Sequence, residues 1–340
     1  LWFASPQGCG VLQNQAWTLF AAEDGLPDNN FTTIAPDGDG AVWLGTTRGA
    51  IFFDGSHWRY RMAPRWLPDD CVREIATTPS GDTWFATPGG VGLIKRQWMT
   101  LAQKADFFED EIEKHHRRTP FGYVESVRLS NVGDKSQWTQ HDSDNDGVWT
   151  GMYGAGECFA YAATKDPAAK RRARRAFEAL RFLCQVTQSG SHPAPRGFPA
   201  RTILPTSGPD PNQYDSPKRD RDRQARDPLW KIIEPRWPKS ADGKWYWKCD
   251  TSSDELDGHY FFYALYYDLV AETEEDKSRV RKVVRDLTDH LIKHDFVLQD
   301  HDGKPTRWGV YRPSALNHDI RWADERGLNS LSMLSYLAVA

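Results

Sequence analysis

The chain has 340 residues, enough for two domains with a sizeable core, and a formal net charge of −4 from 43 Lys and Arg against 47 Asp and Glu. That balance leaves no electrostatic footprint for nucleic acid or an anionic membrane surface, and no apolar run approaches the length of a membrane span. Fifteen Trp, twelve Tyr and sixteen Phe are a heavy aromatic load for so polar a chain; most belong in cores, and the remainder suits stacking on sugar rings.

The first hundred residues repeat. "LWFASPQGCGVL" (1–12), "VWLGTTRGAIFF" (42–53) and "TWFATPGGVGLI" (83–94) set Trp2, Trp43 and Trp84 at a period of 41. The same period links Trp17 to Trp58, Pro27 to Pro68 and Asp28 to Asp69. Each unit reads as short alternating strands broken by Gly, Pro and Asp turns, the pattern of a four-stranded propeller blade. In "GLPDN" and "DGDGAVWLGT" these units resemble the blades of periplasmic sensor propellers attached to hybrid two-component regulators. Two units and a remnant do not close a ring. The expectation is therefore that more blades precede Leu1, or that these dock on the following domain.

From residue 99 the apolar period changes to about 3.6. "LAQKADFFEDEIEKHHRR" (101–118) predicts an amphipathic helix and "GYVESVRLS" (122–130) a strand. Helices then come in pairs. An aromatic one over 147–164 precedes a charged one over 168–188; 254–272 and 276–294 repeat the order, and a third apolar helix opens at 326. Helices apolar nearly all round belong inside and those with a charged face outside. The predicted fold is mainly α: an (α/α)6 toroid over 99–340, incomplete with three to four of six pairs visible, preceded by β-propeller-like blades over 1–98. Sequence is expected to continue after Ala340. Between the pairs, 189–250 reads as a long loop, in which "SPKRDRDRQARDP" (216–228) has the composition of disorder and "HPAPRGFPARTILPTSG" (192–208) the rigidity of a pocket wall.

In a toroid the inner helices run parallel, so their N-termini, with unpaired N–H groups, gather at one mouth suited to an anionic ligand. "QHDSDNDGVWTGMYGAGECFAY" (140–161) lies at such an end. Asp142, Asp144 and Asp146 with Gly147 match the start of a calcium loop, but its twelfth position is Tyr153 in place of Glu, so calcium is the weaker reading and no cofactor is expected. Read as a helix mouth, Asp144 or Asp146 caps the helix, Asn145 joins the rim, and Asp146, Trp149 or Thr150, Tyr153 and Glu157 share a face. The second inner helix offers Ser252 or Ser253 as cap, a stripe of Glu255, His259 and Tyr263, and Tyr260 beside it. Tyr311, Arg312 and His318 precede the third inner helix, and Arg196 and Arg201 in the long loop are further candidates to clamp a planar carboxylate. Five cysteines without CxxC or metal spacing predict neither a zinc site nor a disulfide framework. No GxSxG, HExxH, P-loop or placed GxGxxG is present.

The segments "SQWTQHDSDNDGVWTGMYGAGECFAYAAT", "GFPARTILPTSGPDPN" and "KWYWKCDTSSDELDGHYFFYALYYDLV" resemble the catalytic domain of polysaccharide lyase family 27. The resemblance covers 99–340 and implies a toroidal lyase that removes L-rhamnose from D-glucuronate on plant arabinogalactan side chains. It implies a tyrosine base, for which Tyr260, Tyr153 and Tyr311 are the candidates, with His259 as an alternative base or acid. It also implies a plant uronate glycan as partner and a periplasmic or extracellular location. Two other readings stay open. A hydrolase on the same toroid uses two carboxylates, such as Asp146 and Glu255, and a glycan sensor binds without turnover.

Overall fold

The computed structural model describes residues 1–140 and 142–340. They form two compact units, one of residues 1–107 with 128–139 and one of 108–127 with 140–340. By contact, then, 99–107 and 128–139 group with the strands, where the Lys135 ammonium lies over the Phe107 ring at 5.7 Å. The chain is mixed α/β, which corrects the mainly α expectation: besides the blade strands, the helical unit carries several short antiparallel pairs that brace its loops.

The repeats of the strand unit form three antiparallel sheets. The first is β1 (Trp2–Ser5), β2 (Gly8–Gln13) and β3 (Ala16–Phe20). The second runs β4 (Phe31–Pro36), β5 (Val42–Thr46), β6 (Gly49–Phe53) and β7 (Trp58–Arg61). The third is β8 (Glu74–Thr77), β9 (Thr83–Thr87) and β10 (Gly90–Ile94). Trp2, Trp43 and Trp84 occupy equivalent strands, so the sequence period is a structural period. In the middle sheet, β5 and β6 are buried throughout. Successive side chains point to opposite faces, and here Trp43 and Phe52 join one cluster with Phe85 while Val42, Leu44, Ile51 and Phe53 join another with Cys9. A sheet packed on both faces needs apolar residues at every position, which is why "VWLG" and "AIFF" do not alternate.

The chain enters the helical unit within α1 (Leu101–Glu111), which gives way to a π-helical turn over Ile112–His116, and Arg117–Arg118 then pairs as a strand with Tyr123–Val124. The helix expected to reach 118 thus stops early, and the two arginines leave it. There follow α2 (Asp146–Thr164), α3 (Pro167–Val186), α4 (Pro217–Gln224), α5 (Ser253–Leu269), α6 (Glu274–Lys293), α7 (Pro313–His318) and α8 (Arg326–Val339). Asp166 caps α3 with Pro167 in its first turn, and Thr273 caps α6 ahead of three acids, as the helix dipole favours.

α2 and α5 lie side by side and parallel, because Gly147 faces Glu255 and His259, Gly151 faces Gly258, and Gly154 faces Phe262. A Cβ on Gly151 would lie 2.5 Å from the carbonyl oxygen of Gly258, so the glycines are what let the two backbones meet. α8 stacks Tyr336 on Tyr260 of α5, with ring centroids 4.3 Å apart. α3 and α6 carry charged, partly exposed faces and are tied by Arg174 to Asp276 and by Arg279 to Glu178. The core between the layers holds Phe177, Leu183, Phe198, Trp247, Leu256 and Phe262. Among the described residues no helix is long and apolar enough to cross a membrane.

The run 216–228, whose composition suggests disorder, contains α4. Ser216 caps it, Pro217 starts it, and Asp220 is fully buried, accepting from Trp230 Nε1 at 3.1 Å and pairing with Arg236 at 2.9 Å. Arg236 also pairs with Asp250 at 2.9 Å, so a buried ion triad orders the segment. Composition alone does not reveal partners that lie ten or more residues away.

Candidate functional site

Two polar clusters meet at α2. The first surrounds its N-terminus. Asn145 is the N-cap residue but makes no capping bond, and neither Asp144 nor Asp146 takes that role. The first turn is capped from the neighbouring helix: Gly147 N–H donates to Glu255 Oε2 at 2.7 Å. Only a glycine leaves room for this, since a Cβ at 147 would fall 2.4 Å from that oxygen and 3.0 Å from His259 Nε2. The Asn145 amide completes the contact with its nitrogen toward Glu255 Oε1 at 3.2 Å and the Asp144 carbonyl at 2.8 Å. α5 likewise starts without a side-chain cap, because Ser252 Oγ bonds Asp254.

Glu255, His259 and Tyr263 share one stripe as expected, and it faces α2. All three are buried. Burial, above all, raises the Glu255 carboxyl well above the ordinary carboxylate range, and burial brings His259 down to about 3. His259 is therefore a neutral imidazole at physiological pH. Its Nδ1 bonds the Tyr263 hydroxyl at 3.0 Å, while Nε2 is buried without a partner. Asp146 is also fully buried. It takes a charge-assisted bond from Arg118, which further donates to Thr202 Oγ1 at 2.7 Å and Ile203 O at 2.6 Å.

The rim of this cluster is half open. Asp144 accepts from Lys248 Nζ at 2.7 Å, and its carbonyl from Arg201 Nε at 3.1 Å. Burial pushes the Asp144 carboxyl up, but Lys248 and Arg201 outweigh it and hold the group below its usual value. Asp142 goes the other way, up to about 6, through burial and then the charge of Asp144. The three aspartates thus serve different neighbours. Among the described residues the one group close enough to share a cation is Cys249, Asp300 and His301, with ligand atoms within 4.8 Å. The Lys231 ammonium already stands 3.2 Å from Asp300 Oδ2.

The second cluster lies two turns along α2. Tyr153 OH accepts from Arg117 Nη2 at 2.6 Å and donates to Glu109 Oε1 at 2.7 Å, and the Arg117 guanidinium lies over the ring at 4.4 Å. Glu157, one turn further, accepts from Arg172 Nε at 2.8 Å, and Arg172 also lies 3.4 Å from Glu109. Burial first, opposed by Arg172, brings Glu157 up to about 7. Burial also raises Tyr153, with Arg117 opposing and Glu109 adding. The expected stripe of Asp146, Thr150, Tyr153 and Glu157 therefore exists, with Arg117, Arg118 and Arg172 against it; Thr150 Oγ1 accepts from Val124 N at 3.0 Å. Trp149 points away from it and is exposed.

The other candidates stand apart. Tyr260 is packed in the core with its hydroxyl 2.8 Å from Thr288 Oγ1, and burial raises it. Tyr311 is buried edge-on to Tyr336. Arg196 does not reach the mouth; it pairs with Asp286 of α6 at 2.7 Å. Arg312 stands 3.6 Å from Asp295, and His318 is exposed at the end of α7. Sequence reasoning missed Arg117, Arg118, Glu109 and Lys248. The first three were hidden inside a helical pattern, and Lys248 in the aromatic run "KWYWKCD" had no spacing to mark it.

Comparison with known proteins touches the strand unit. A family described as two component regulator propeller matches residues 25–48. Among solved structures, the extracellular domain of a hybrid two-component system from B. thetaiotaomicron is similar over 27% of this chain and 13% of its own, at 21% identity and a TM-score of 0.24. The chain therefore spans about one eighth of that structure's length. No curated protein matches.

Proposed function

We propose that the helical unit is the catalytic part of a polysaccharide lyase acting on the L-rhamnose-α-1,4-D-glucuronate cap of arabinogalactan side chains. It cleaves by β-elimination, leaves a 4,5-unsaturated uronate, and works in the periplasm or outside the cell. In this reading α2, α5 and α8 are inner helices of an (α/α)6 toroid, with α3 and α6 outside.

The observation that carries the proposal is the setting of Tyr153. Of the three candidate tyrosines it alone is only half buried, and its hydroxyl sits between a carboxylate and a guanidinium. Because burial keeps the free Tyr153 hydroxyl neutral, Tyr153 takes the C5 proton in the same step as its own passes to Glu109, and Arg117 balances the partial negative charge on the phenol oxygen. The C5–H electron pair becomes the C4=C5 bond, O4 leaves with the C4–O4 pair, and Glu157, at about 7, is the acid that protonates it. Arg117 and Arg172 supply the positive charge that a uronate carboxylate needs to make C5–H acidic.

The test is to incubate the protein with rhamnose-capped arabinogalactan and follow released rhamnose together with ultraviolet absorbance of the new double bond. Both signals are expected, and Tyr153→Phe should lower the rate by about 10²- to 10⁴-fold with an unchanged melting curve. Rhamnose without absorbance would mean hydrolysis and direct attention to Asp146 and Glu255. The match at residues 25–48 favours one second reading, a glycan sensor, which would bind the same oligosaccharide and release nothing.

A further inference from the structure

Between α3 and α6, on the outer face of the helical unit, lies a groove of about 320 Å³. Four cations line it: Arg181 from α3, Arg279 and Lys282 from α6, and Arg196 from the loop that follows α3. Two carboxylates hold them, each shared by two cations with one oxygen apiece. Glu178 Oε2 accepts from Arg181 Nε at 3.0 Å and Nη2 at 2.8 Å, while Oε1 accepts from Arg279. Asp286 Oδ1 accepts from Arg196 Nε at 3.0 Å and Nη2 at 2.7 Å, while Oδ2 accepts from Lys282 Nζ at 2.8 Å. Every cation thus has a carboxylate partner, and the four together exceed the two carboxylates by two charges. Arg174 and Asp276, the next pair along the interface, add one charge of each sign, and Asp276 also stands 3.9 Å from Arg279. Asp289 lines the cleft on the other flank of α6 together with Arg285, and its charge also reaches Arg196 and offsets part of the excess there.

The groove is built and not merely exposed. Gly197, at φ +89°, brings the loop so close to α6 that a Cβ there would lie 1.9 Å from the Asp286 carbonyl oxygen. That contact seats Arg196, and His290 fixes it from below. Gln299 N–H donates to His290 Nε2 at 3.0 Å, which leaves Nδ1 to carry the proton and donate to Arg196 O at 3.0 Å. Val283 and Leu287 form an apolar floor. Low-dielectric walls strengthen the field of the uncompensated charge inside the groove. The ion pairs themselves lie at the surface, where water screens them and each is weak, so the guanidinium groups can turn to a better acceptor.

We propose that this groove binds a doubly charged oxyanion, the phosphate or sulfate group of a small polar molecule. Two guanidinium forks from Arg181 and Arg279 on one side, with Arg196 and Lys282 on the other, match a tetrahedral group with oxygens on several sides. The volume is at the small end of the range for small-molecule sites, roughly 300–1,000 Å³, and fits a single sugar ring. The site is separate from Tyr153 and does not depend on the lyase reading.

Calorimetric titration of the full chain at pH 8 and constant ionic strength, with inorganic phosphate, sulfate and acetate in turn, tests the proposal. Phosphate or sulfate should bind with a measurable constant and acetate at least ten-fold more weakly. Arg181→Gln with Arg279→Gln, and separately Lys282→Gln with Arg196→Gln, should each weaken the dianion at least ten-fold without changing the melting temperature. Glucose 6-phosphate against glucose 6-sulfate then identifies which ester the groove prefers. No heat from either dianion up to 10 mM (on the order of the weakest useful affinity), equal binding of acetate, or binding untouched in both double variants would each overturn the assignment.

Discussion

In the strand unit Gly8, Gly49 and Gly90 stand one repeat apart and hold φ values of +146°, +142° and +125°. In the helical unit Gly151, Gly154 and Gly156 crowd into one turn and a half of α2 with ordinary helical backbone. The first set is required by local geometry. Each opens the strand after a tight turn, in a conformation that a side chain rarely adopts. Neighbouring strands add to this at Gly8 and Gly49, where a Cβ would lie 2.3 Å from Phe20 O and 2.6 Å from Arg61 O, but not at Gly90, where nothing stands within 4 Å. The second set depends on what another helix places opposite. Gly151 lies on the Gly258 backbone, Gly154 on Phe262 and Ala176, and Gly156 on nothing. A repeat unit writes its requirements into its own period, whereas a helix pair writes them at the crossing.

The comparison can be tested hardest where the helical unit is most dependent on distant partners. Asp146→Asn removes the counter-ion of buried Arg118, and loss of one partner of a buried pair costs about 3–5 kcal/mol. Guanidinium unfolding should show that loss, and a change below 1 kcal/mol would mean that Arg118 finds another acceptor. Gly151→Ala is next. In an open helix Gly→Ala stabilises by up to about 1 kcal/mol, but here the Cβ meets backbone at 2.5 Å. A net destabilisation of about 1–3 kcal/mol is expected, and a stabilised variant would show that α2 and α5 are not held at this separation.

A smaller effect is tied to pH. Glu125 is buried, with Oε1 unpartnered, and burial, opposed first by Ser143, brings its carboxyl up from 4.5 to about 7. The folded chain thus holds this proton more tightly than the unfolded chain. Its contribution is fully present below about 4.5 and is lost as pH rises through about 7. Relative to wild type, Glu125→Gln should gain stability between pH 5 and pH 8, read as urea midpoints; parallel curves would remove Glu125 as the source. The smallest effect is the counterpart of Gly151. Gly156→Ala meets no atom within 4 Å and should stabilise by up to about 1 kcal/mol in the same urea experiment.

Much of the organisation was legible because it is local. The 41-residue period located the equivalent tryptophan strands, and the 3.6 period located α2, α3, α5, α6 and α8 to within a few residues. The cap roles were not legible. Asp144 and Asp146 have the residue type and position of helix caps, yet Gly147 N–H is satisfied by Glu255, 108 residues away. Arg117 and Arg118 follow an acidic and then basic run that suits a helix end, but the helix widens into a π turn and releases them toward Tyr153 and Asp146.

The sequence by itself determined the repeat, the alternation of apolar and charged helices, and the gathering of acids and aromatics near residue 146. Those features follow from periodicity and composition, which act through neighbours along the chain. The tertiary structure alone decided which tyrosine stands half open between a carboxylate and a guanidinium, which glycines are indispensable, and how α4 is ordered by Arg236. It also decided that four outer cations share two carboxylates. Each of these depends on side chains brought together from distant positions, where burial and charge act through space.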